Sequence, residues 1–116
     1  MNRIIKDYLL LNDLNEQHSE FLFLCIEEMN KNGEFILNAA IKRRMIVKLR
    51  VKLGSLNNVI TKLINQKVLI RIDRSIYKVC EDLEQIIQSE KEIINLVLRY
   101  EKEDRQILIT EGDNEE

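Results

Sequence analysis

The sequence predicts a mainly α-helical domain that carries a small β-hairpin. The chain of 116 residues has no proline and only three glycines, so few positions interrupt a helix. Its 45% hydrophobic content supplies a core for one domain of ordinary size. Two β-rich runs, KVLIRID and SIYKVC, follow each other across a short polar turn near Asp73, which predicts the hairpin.

The N-terminal third predicts two helices and a short strand. The run RIIKDYLLLNDL is apolar nearly all round at helical spacing, so residues 1–18 are assigned to a packing or dimerisation helix. Ser19 is the candidate N-cap of the next helix, EFLFLCIEEM. The NKNG turn at 30–33 ends that helix, and residues 34–37 predict a short strand.

The middle of the chain predicts two consecutive helices. Asn38 is a suitable cap for AAIKRRMIVKL, which ends near Leu49. A brief connection at 50–52 leads to a second helix over 55–66. The helical wheel of this second helix separates completely into an apolar half and a polar half made of amides, hydroxyls and one lysine.

The C-terminal third predicts one long helix and a tail. Apolar residues share a stripe through residues 81–107, although Glu90 and Glu101 interrupt it, and a helix of that length would be roughly 35 Å long. Such a helix is a candidate dimerisation element, and its stripe consists of Leu83, Ile86, Ile87, Ile93, Ile94, Val97 and Leu98. The alternative is that both terminal helices fold back on the same subunit. Residues 108–116 are expected to form an acidic, solvated tail.

Positive charge is concentrated in the middle of the chain, although the formal net charge is only −2. Residues 38–80 contain 11 basic side chains and a single acid, Asp73, whereas residues 1–37 carry a net −4 and residues 81–116 a net −8. A basic segment of this kind indicates a polyanionic partner. The alternative is that the acidic flanks neutralise the basic centre within the fold or within a dimer.

The predicted order of helix, short strand, helix, turn, helix and hairpin is that of a winged helix-turn-helix domain, assigned to residues 19–80, with additional N- and C-terminal helices. This domain resembles the RepL-type replication proteins of Firmicute plasmids. The resemblance lies in GEFILN, in Leu49 and Val51 at the turn, and in SLNNVITKLINQKVLIRI followed by IYKV. More loosely, the chain resembles MarR-like regulators and small phage winged-helix proteins. The resemblance covers about residues 33–79.

This resemblance implies a protein that binds double-stranded DNA, in replication initiation and copy control or in transcription regulation, with a plasmid or phage origin. It also implies a homodimer joined through the terminal helices. Turns of this family usually carry glycine and a serine or aspartate cap, where this chain has Arg50 and Lys52. A non-glycine residue there costs on the order of 1 kcal/mol if its backbone is left-handed.

DNA binding requires cations for phosphates and compact polar groups for base edges. The phosphate-contact candidates lie before and at the turn or in the hairpin: Lys42, Arg43, Arg44, Lys48, Arg50, Lys52, Arg71, Arg74 and Lys78. The base-contact candidates lie on the helix after the turn: Gly54, Ser55, Asn57, Asn58, Thr61 and Lys62. At Gly54 the missing side chain would let the backbone approach DNA closely. The alternative for these side chains is an ordinary solvated helix face.

Other function classes find little support in the sequence. No Walker loop, Gly-x-Ser-x-Gly motif or metal-ligand cluster occurs, and His18 is the only histidine, so no catalysis, cofactor or metal is expected. Cys25 and Cys80 lie in apolar surroundings and are expected to be buried free thiols.

No run of 18 apolar residues and no signal peptide is visible, which predicts no membrane partner and a location in the cytoplasm of a bacterium or a phage-infected cell. A second hypothesis is a winged helix that contacts proteins instead of reading DNA, as a phage-encoded inhibitor or a virion component. The partner would then be a protein of a replication, transcription or phage assembly.

Overall fold

The computed structural model describes residues 2–113 as an α/β protein with five helices, a three-stranded antiparallel sheet and a separate two-stranded hairpin. In chain order the elements are α1 (Asn2–Leu11), α2 (Glu16–Glu27), β1 (Glu34–Ile36), α3 (Ala39–Leu49), α4 (Leu53–Asn65), β2 (Leu69–Arg71), β3 (Ile76–Val79), α5 (Glu81–Gln88), β4 (Ile93–Glu101) and β5 (Asp104–Gly112). None of these helices combines the length and the apolar character that crossing a bilayer requires.

One hydrophobic core joins all five helices to the three-stranded sheet. Its buried side chains include Ile5, Leu9, Phe21, Leu22, Met45, Leu56, Leu63, Tyr77, Val79, Leu83 and Ile86. On the inner face of the sheet, the rings of Phe35 and Tyr77 stack with centroids 6.4 Å apart. The sheet and the helices α3 and α4 are therefore held in one fixed arrangement.

Helix α2 begins earlier than the sequence predicted. Its N-cap is Asn15, whose side chain accepts hydrogen bonds from the backbone N–H groups of Gln17 and His18. The His18 ring accepts the Asn15 backbone N–H in return, at 3.2 Å from N to Nδ1, which completes a capping box. The predicted cap, Ser19, is buried inside the helix, so the boundary of the N-terminal helix at residue 18 is wrong.

The two central helices and their connection agree closely with the prediction. Asn38 Oδ1 accepts the Ile41 backbone N–H at 2.9 Å and caps α3. Arg50 then turns the chain with φ 56° and ψ 46°, the left-handed conformation that a glycine would adopt at lower cost. Helix α4 starts at Leu53, two residues before the predicted Ser55, so Gly54 lies in its first turn.

The predicted short strand and hairpin form a single sheet with strand order β1-β3-β2. Both pairings are antiparallel, and Tyr77 is opposite Phe35 on one side and Arg71 on the other. The turn between β2 and β3 needs no glycine because none of its residues has a positive φ, and side chains hold it. Arg71 Nη2 donates to the Arg74 carbonyl at 2.7 Å, and Asp73 Oδ1 accepts the Arg74 backbone N–H at 2.7 Å.

The long C-terminal helix predicted over residues 81–107 is wrong. Helix α5 ends at Gln88, and the chain continues as two nine-residue strands, β4 and β5, paired from Ile93 with Gly112 to Glu101 with Asp104. The polar segment 89–92 breaks the helix, and alternate residues of β4 then face opposite sides as in any strand.

The acidic tail predicted over 108–116 is also wrong in part, because Leu108 to Gly112 belong to β5. Residues 114–116 of that tail lie outside the described range.

The predicted dimerisation stripe therefore does not exist as a helix face. Leu83 and Ile86 are buried in the core of their own chain, and Ile87 packs against that core. The remaining four members of the stripe lie on β4. Ile93 and Val97 face one side of the hairpin, and Ile94 and Leu98 face the other.

The β4–β5 hairpin is attached to the core through one of its faces. Leu96, Ile107 and Ile109 pack against the core from that face. Near the tip, Arg105 Nη2 binds Asp13 Oδ2 at 2.7 Å, which ties the hairpin to the loop between α1 and α2. This ion pair holds the pKa of the Asp13 carboxyl below its usual range.

The two cysteines are free thiols, as expected, and differ in burial. Cys25 is fully buried in the core, whereas Cys80 is only partly buried. The Cys80 Sγ lies 3.6 Å from the Tyr8 hydroxyl, which donates to Asp82 at 3.0 Å. Burial raises the pKa of both thiols, so they are protonated at neutral pH.

Candidate nucleic-acid interface

The first turns of α3 and α4 and the β2–β3 turn meet at an open cleft of about 650 Å³. No acidic side chain of residues 2–113 lines this cleft. Its lining consists of Leu37, Asn38, Ala39, Lys42, Arg43, Leu53, Asn57, Arg71, Arg74, Ser75 and Tyr77. We call it the basic cleft. It brings together phosphate-contact candidates from α3 and the β2–β3 turn and one base-contact candidate from α4.

The cations of the basic cleft form no ion pair with the acids of the described residues. Lys42, Arg43, Arg71 and Arg74 take part in none of the ion pairs that the structure contains among residues 2–113. Four positive charges around one concave surface make a local positive potential, and low-dielectric walls strengthen it. This surface therefore favours a ligand with several negative charges.

Two of the cleft residues are held in position by hydrogen bonds. Lys42 Nζ donates to Asn57 Oδ1 at 3.2 Å, which links α3 to the exposed face of α4. The Arg71 guanidinium is held by the two carbonyls of its turn, those of Asp73 and Arg74. The Arg74 side chain remains exposed at the tip of that turn.

The N-terminus of α4 opens beside the cleft without a capping group. Lys52 occupies the cap position and makes no side-chain cap hydrogen bond, and no acid lies in the first turn. A Cβ built on Gly54 would meet no atom within 4 Å. The backbone N–H groups of this turn, with the positive end of the helix dipole, are therefore accessible to an anion.

The other candidates of α3 and β3 face acidic neighbours. Arg44 and Lys48 line a separate small pocket together with Glu27 and Glu28 of α2. Lys78 Nζ lies 3.4 Å from Glu84 Oε2 of α5. Among residues 2–113, the alternative explanation of the charge pattern, neutralisation of basic by acidic segments, is therefore seen as an ion pair for Lys78, whereas Arg44 and Lys48 share a pocket lining with two acids without an ion pair.

The polar face of α4 is exposed along its whole length. Beyond Asn57, the exposed base-contact candidates are Gly54, Ser55, Asn58, Thr61 and Lys62. Lys62 lies at the far end, where its charge contributes to the lowered pKa values of Asp13 and His18. Arg50 and Lys52 are exposed in the connection between the helices.

Six of the cleft residues were absent from the sequence-based site candidates, and Leu53, Asn38 and Ser75 are three of these. Leu53 is 47% exposed at the start of α4, an unusual environment for a leucine. Asn38 was identified only as a helix cap, and Ser75 only as a turn residue. No pattern in the sequence signals that these positions share a cleft with Arg43, because the sheet and α3 are brought together by tertiary packing.

The outer face of the three-stranded sheet is apolar and open. Ile36, Ile70 and Ile72 are 51%, 45% and 50% exposed, and the half-buried Ile76 pairs with Ile36 in the sheet. Lys78 and Glu34 lie on the same face. This isoleucine face points away from the stacked rings of the inner face, since successive side chains alternate across a strand.

Comparisons with known proteins add no assignment to this geometry. Models of protein families, curated proteins and solved structures all give no match to the chain.

Proposed function

We propose that the chain binds double-stranded DNA as a winged helix-turn-helix protein. In this proposal α3 and α4 are the two helices of the motif, and the turn between β2 and β3 is the tip of the wing. The observation that carries the proposal is the basic cleft, where cations of α3 and the wing that form no ion pair among residues 2–113 surround the open N-terminal end of α4.

The elements of the proposed motif have separate roles on DNA. Helix α4 enters the major groove with its N-terminal half, so that Asn57 and Ser55 reach base edges. Lys42 and Arg43 contact the phosphates beside that groove, and Arg74 reaches a phosphate from the wing. The Lys42 contact with Asn57 holds the amide at the edge of the cleft before DNA arrives.

Gly54 fits the same arrangement. The open space around this residue means that packing within the protein does not require a glycine there. A glycine lets the first turn of α4 approach the DNA backbone, and the uncapped N–H groups of that turn can donate to a phosphate. The polar face of α4, which carries no acidic side chain, would then lie against the major groove.

The biological role proposed for this DNA binding is replication initiation and copy control of a plasmid or phage, or regulation of transcription. Its support is the resemblance of residues 33–79 to RepL-type proteins, together with the absence of catalytic motifs in the sequence. Both roles require recognition of a defined DNA site, and they differ in what is recruited to it.

The proposal is tested by titrating the full chain with a fluorescent duplex at 50 and 200 mM salt. Contacts with six or more phosphates predict a loss of affinity of about 10³-fold over this range. Absence of binding at 50 mM salt, or an affinity that salt hardly changes, would contradict DNA binding. Selection of bound fragments from random duplexes then gives the site and shows whether it is palindromic.

A matched pair of variants tests whether the wing takes part. Arg74→Ala should lower the slope of log affinity against log salt by about one unit, because one phosphate contact is lost. Lys78→Ala removes another cation of the β2–β3 hairpin, but Lys78 already binds Glu84. The slope of log affinity against log salt should therefore stay unchanged in this variant. Equal effects of the two substitutions would exclude the proposed wing contact.

A second candidate function is a winged helix that binds a protein. The isoleucine face of the three-stranded sheet favours it, because exposed apolar clusters mark protein contacts. Changing Ile36 and Ile70 to serine would weaken such a contact and leave the DNA titration unchanged. The two candidate functions therefore use opposite faces of the sheet and separate experimentally.

A further inference from the structure

The β4–β5 hairpin has two long strands and no third strand beside them. Each strand has nine residues, and no backbone hydrogen bond joins either outer edge to another part of the described chain. Soluble proteins usually shorten, charge or cover such edges, because an open edge pairs readily with another strand. A hairpin of two strands is also only marginally stable without further packing.

The face of the hairpin that points away from the core carries apolar side chains as well. Val97 and Leu108 are opposite each other in the register and are 47% and 39% exposed. They form a short apolar row across the two strands. An additional strand beside β5 would extend this row and cover part of it.

We propose that the hairpin joins two copies of this chain, edge to edge, through β5. The two β5 strands run antiparallel about a twofold axis that passes beside Leu108. The product is a continuous four-stranded sheet with strand order β4-β5-β5-β4. This interface replaces the long C-terminal helix as the means of dimerisation, and it does not depend on whether the chain binds DNA.

The sequence of β5 is self-complementary in this register. Arg105 lies opposite Glu111 of the second copy, and the twofold axis repeats this opposite-charge pair at the other end. Ile107 lies opposite Ile109 of the second copy, and the two Leu108 side chains meet at the centre. Directly opposite residues of antiparallel strands interact through their side chains, so these pairs favour the register.

Other registers lack this match. Moving the axis to Ile107 places Arg105 opposite Ile109 and brings Glu103 near Glu111 of the second copy. Moving it to Ile109 places Ile107 opposite Glu111. Self-pairing of β4 about Val97 places Ile93 opposite Glu101 and forms no opposite-charge pair within the strand. The β5 edge with its axis at Leu108 is therefore favoured over these three alternatives.

The charges of the hairpin permit two copies to meet. Residues 93–112 contain three basic and four acidic side chains, so the hairpin is nearly neutral although the C-terminal third as a whole is acidic. Arg105 already binds Asp13 through Nη2. A guanidinium has five N–H donors, so Arg105 can bind Asp13 and Glu111 of the second copy at the same time.

Cysteine cross-linking tests the register directly. Two residues at position 108 would have Cα atoms about 4.5–5.5 Å apart, within the range that a disulfide spans. Leu108→Cys should therefore form a covalent dimer under mild oxidation. Thr110→Cys is the matched control, because the two copies of position 110 lie roughly 13 Å apart. The native chain controls for Cys25 and Cys80.

A charge exchange tests the same contact without cross-linking. Arg105→Glu and Glu111→Arg should each weaken the dimer at least tenfold in sedimentation velocity, because each variant opposes like charges twice. An equimolar mixture of the two should restore a dimer, since both pairs are then of opposite sign. Asp13→Asn should leave the dimer intact. This result would show that Arg105 acts on the dimer through Glu111 of the second copy and not through its ion pair with Asp13.

These experiments decide the proposal in either direction. A native dimer at tens of micromolar, preferential cross-linking at position 108 and restoration in the mixture support it. A native chain that sediments as a monomer at 100 µM overturns it. A dimer that cross-links equally well at 108 and 110, or that the mixture fails to restore, overturns it as well. The salt-dependent DNA titration has no bearing on these outcomes.

Discussion

The two sides of α3 carry cations of the same kind in opposite surroundings. Lys42 and Arg43 lie in the basic cleft, which is lined by no acid of residues 2–113. Arg44 and Lys48 lie beside Glu27 and Glu28 of α2. A charge pattern in the sequence cannot separate these pairs, because adjacent residues such as Arg43 and Arg44 differ only in the side of the helix they occupy. Tertiary structure decides which cations remain available to a partner.

The two ends of α4 show the same contrast. At its N-terminal end, Asn57 and Gly54 lie at or near the basic cleft, and the helix has no cap. At its C-terminal end, Gln66 Nε2 donates to the Asn12 carbonyl at 3.0 Å, and Lys62 acts on the pKa values of Asp13 and His18. The N-terminal end of α4 thus lies beside the cleft, while its C-terminal end lies beside the loop between α1 and α2.

The largest expected effect separates the two sides of α3. Changing Lys42 and Arg43 together to glutamate should reduce DNA affinity on the order of 100-fold or more at 100 mM salt, because two phosphate contacts become repulsive. Changing Arg44 and Lys48 to glutamate alters the net charge equally and should cost much less. Fluorescence anisotropy with one duplex compares them. Equal losses would mean that the overall charge, and not the cleft, controls binding.

The next effect separates the two ends of α4. Asn57→Ala should weaken binding to a selected site by about 1–3 kcal/mol and relax the preference at one base pair, since a bidentate amide contact is lost. Asn65→Ala removes an equally exposed amide at the far end of the helix and should leave affinity and preference unchanged. Both variants should keep the salt slope of the native chain. A preference unchanged by Asn57→Ala would remove this residue from base recognition.

A smaller effect concerns the first turn of α4. Gly54→Ala should raise the free energy of unfolding by about 0.5–1 kcal/mol, because alanine favours a helix and the added methyl group meets open space. The same change should weaken DNA binding, since the methyl group separates the backbone from the phosphate. Urea unfolding and anisotropy measure the two quantities. A more stable variant with native affinity would show that the backbone does not approach DNA here.

The smallest effect belongs to the region away from the cleft. Burial, with a further contribution from the charge of Lys62, lowers the pKa of His18. The unfolded chain therefore binds a proton first as the pH falls through about 6.5, and the folded state loses stability from there down to the lowered pKa of His18. His18→Gln keeps an acceptor for the capping box and should flatten this dependence in urea unfolding. Its DNA affinity at pH 7.5 should equal that of the native chain.

The central elements could be predicted because their signals are local. Asn38 caps α3, the amphipathic wheel defines α4, and the β-rich runs define β2 and β3. The start of α2 was missed because Asn15 and Ser19 are both good caps, and the capping box with His18 decides between them. The choice depends on tertiary packing, since Ser19 is buried.

The C-terminal region was predicted wrongly because its apolar residues fit two periods. Leu83, Ile86, Ile93 and Val97 recur at helical spacing, whereas IINLVL is also a short, almost continuous apolar run, which fits a strand as well as a helix. The turn between β4 and β5 gives no warning, because Lys102 adopts φ 58° where glycine would be expected. The polar segment 89–92 was the one local signal of a break. The sequence predicted the cations of the basic cleft as phosphate-contact candidates. It did not predict that Arg44 and Lys48 lie on another side of α3, away from this cleft.

The central claim is that DNA lies in the basic cleft of a folded, unmodified chain. Backbone amide NMR spectra of the labelled protein, recorded during titration with a duplex, test it most directly. The account predicts shifts at Arg43, Gly54, Asn57, Arg74 and Ser75, with Glu27 and the isoleucine face of the sheet unaffected. Shifts confined to the isoleucine face, or to the side of α3 that faces α2, would contradict it.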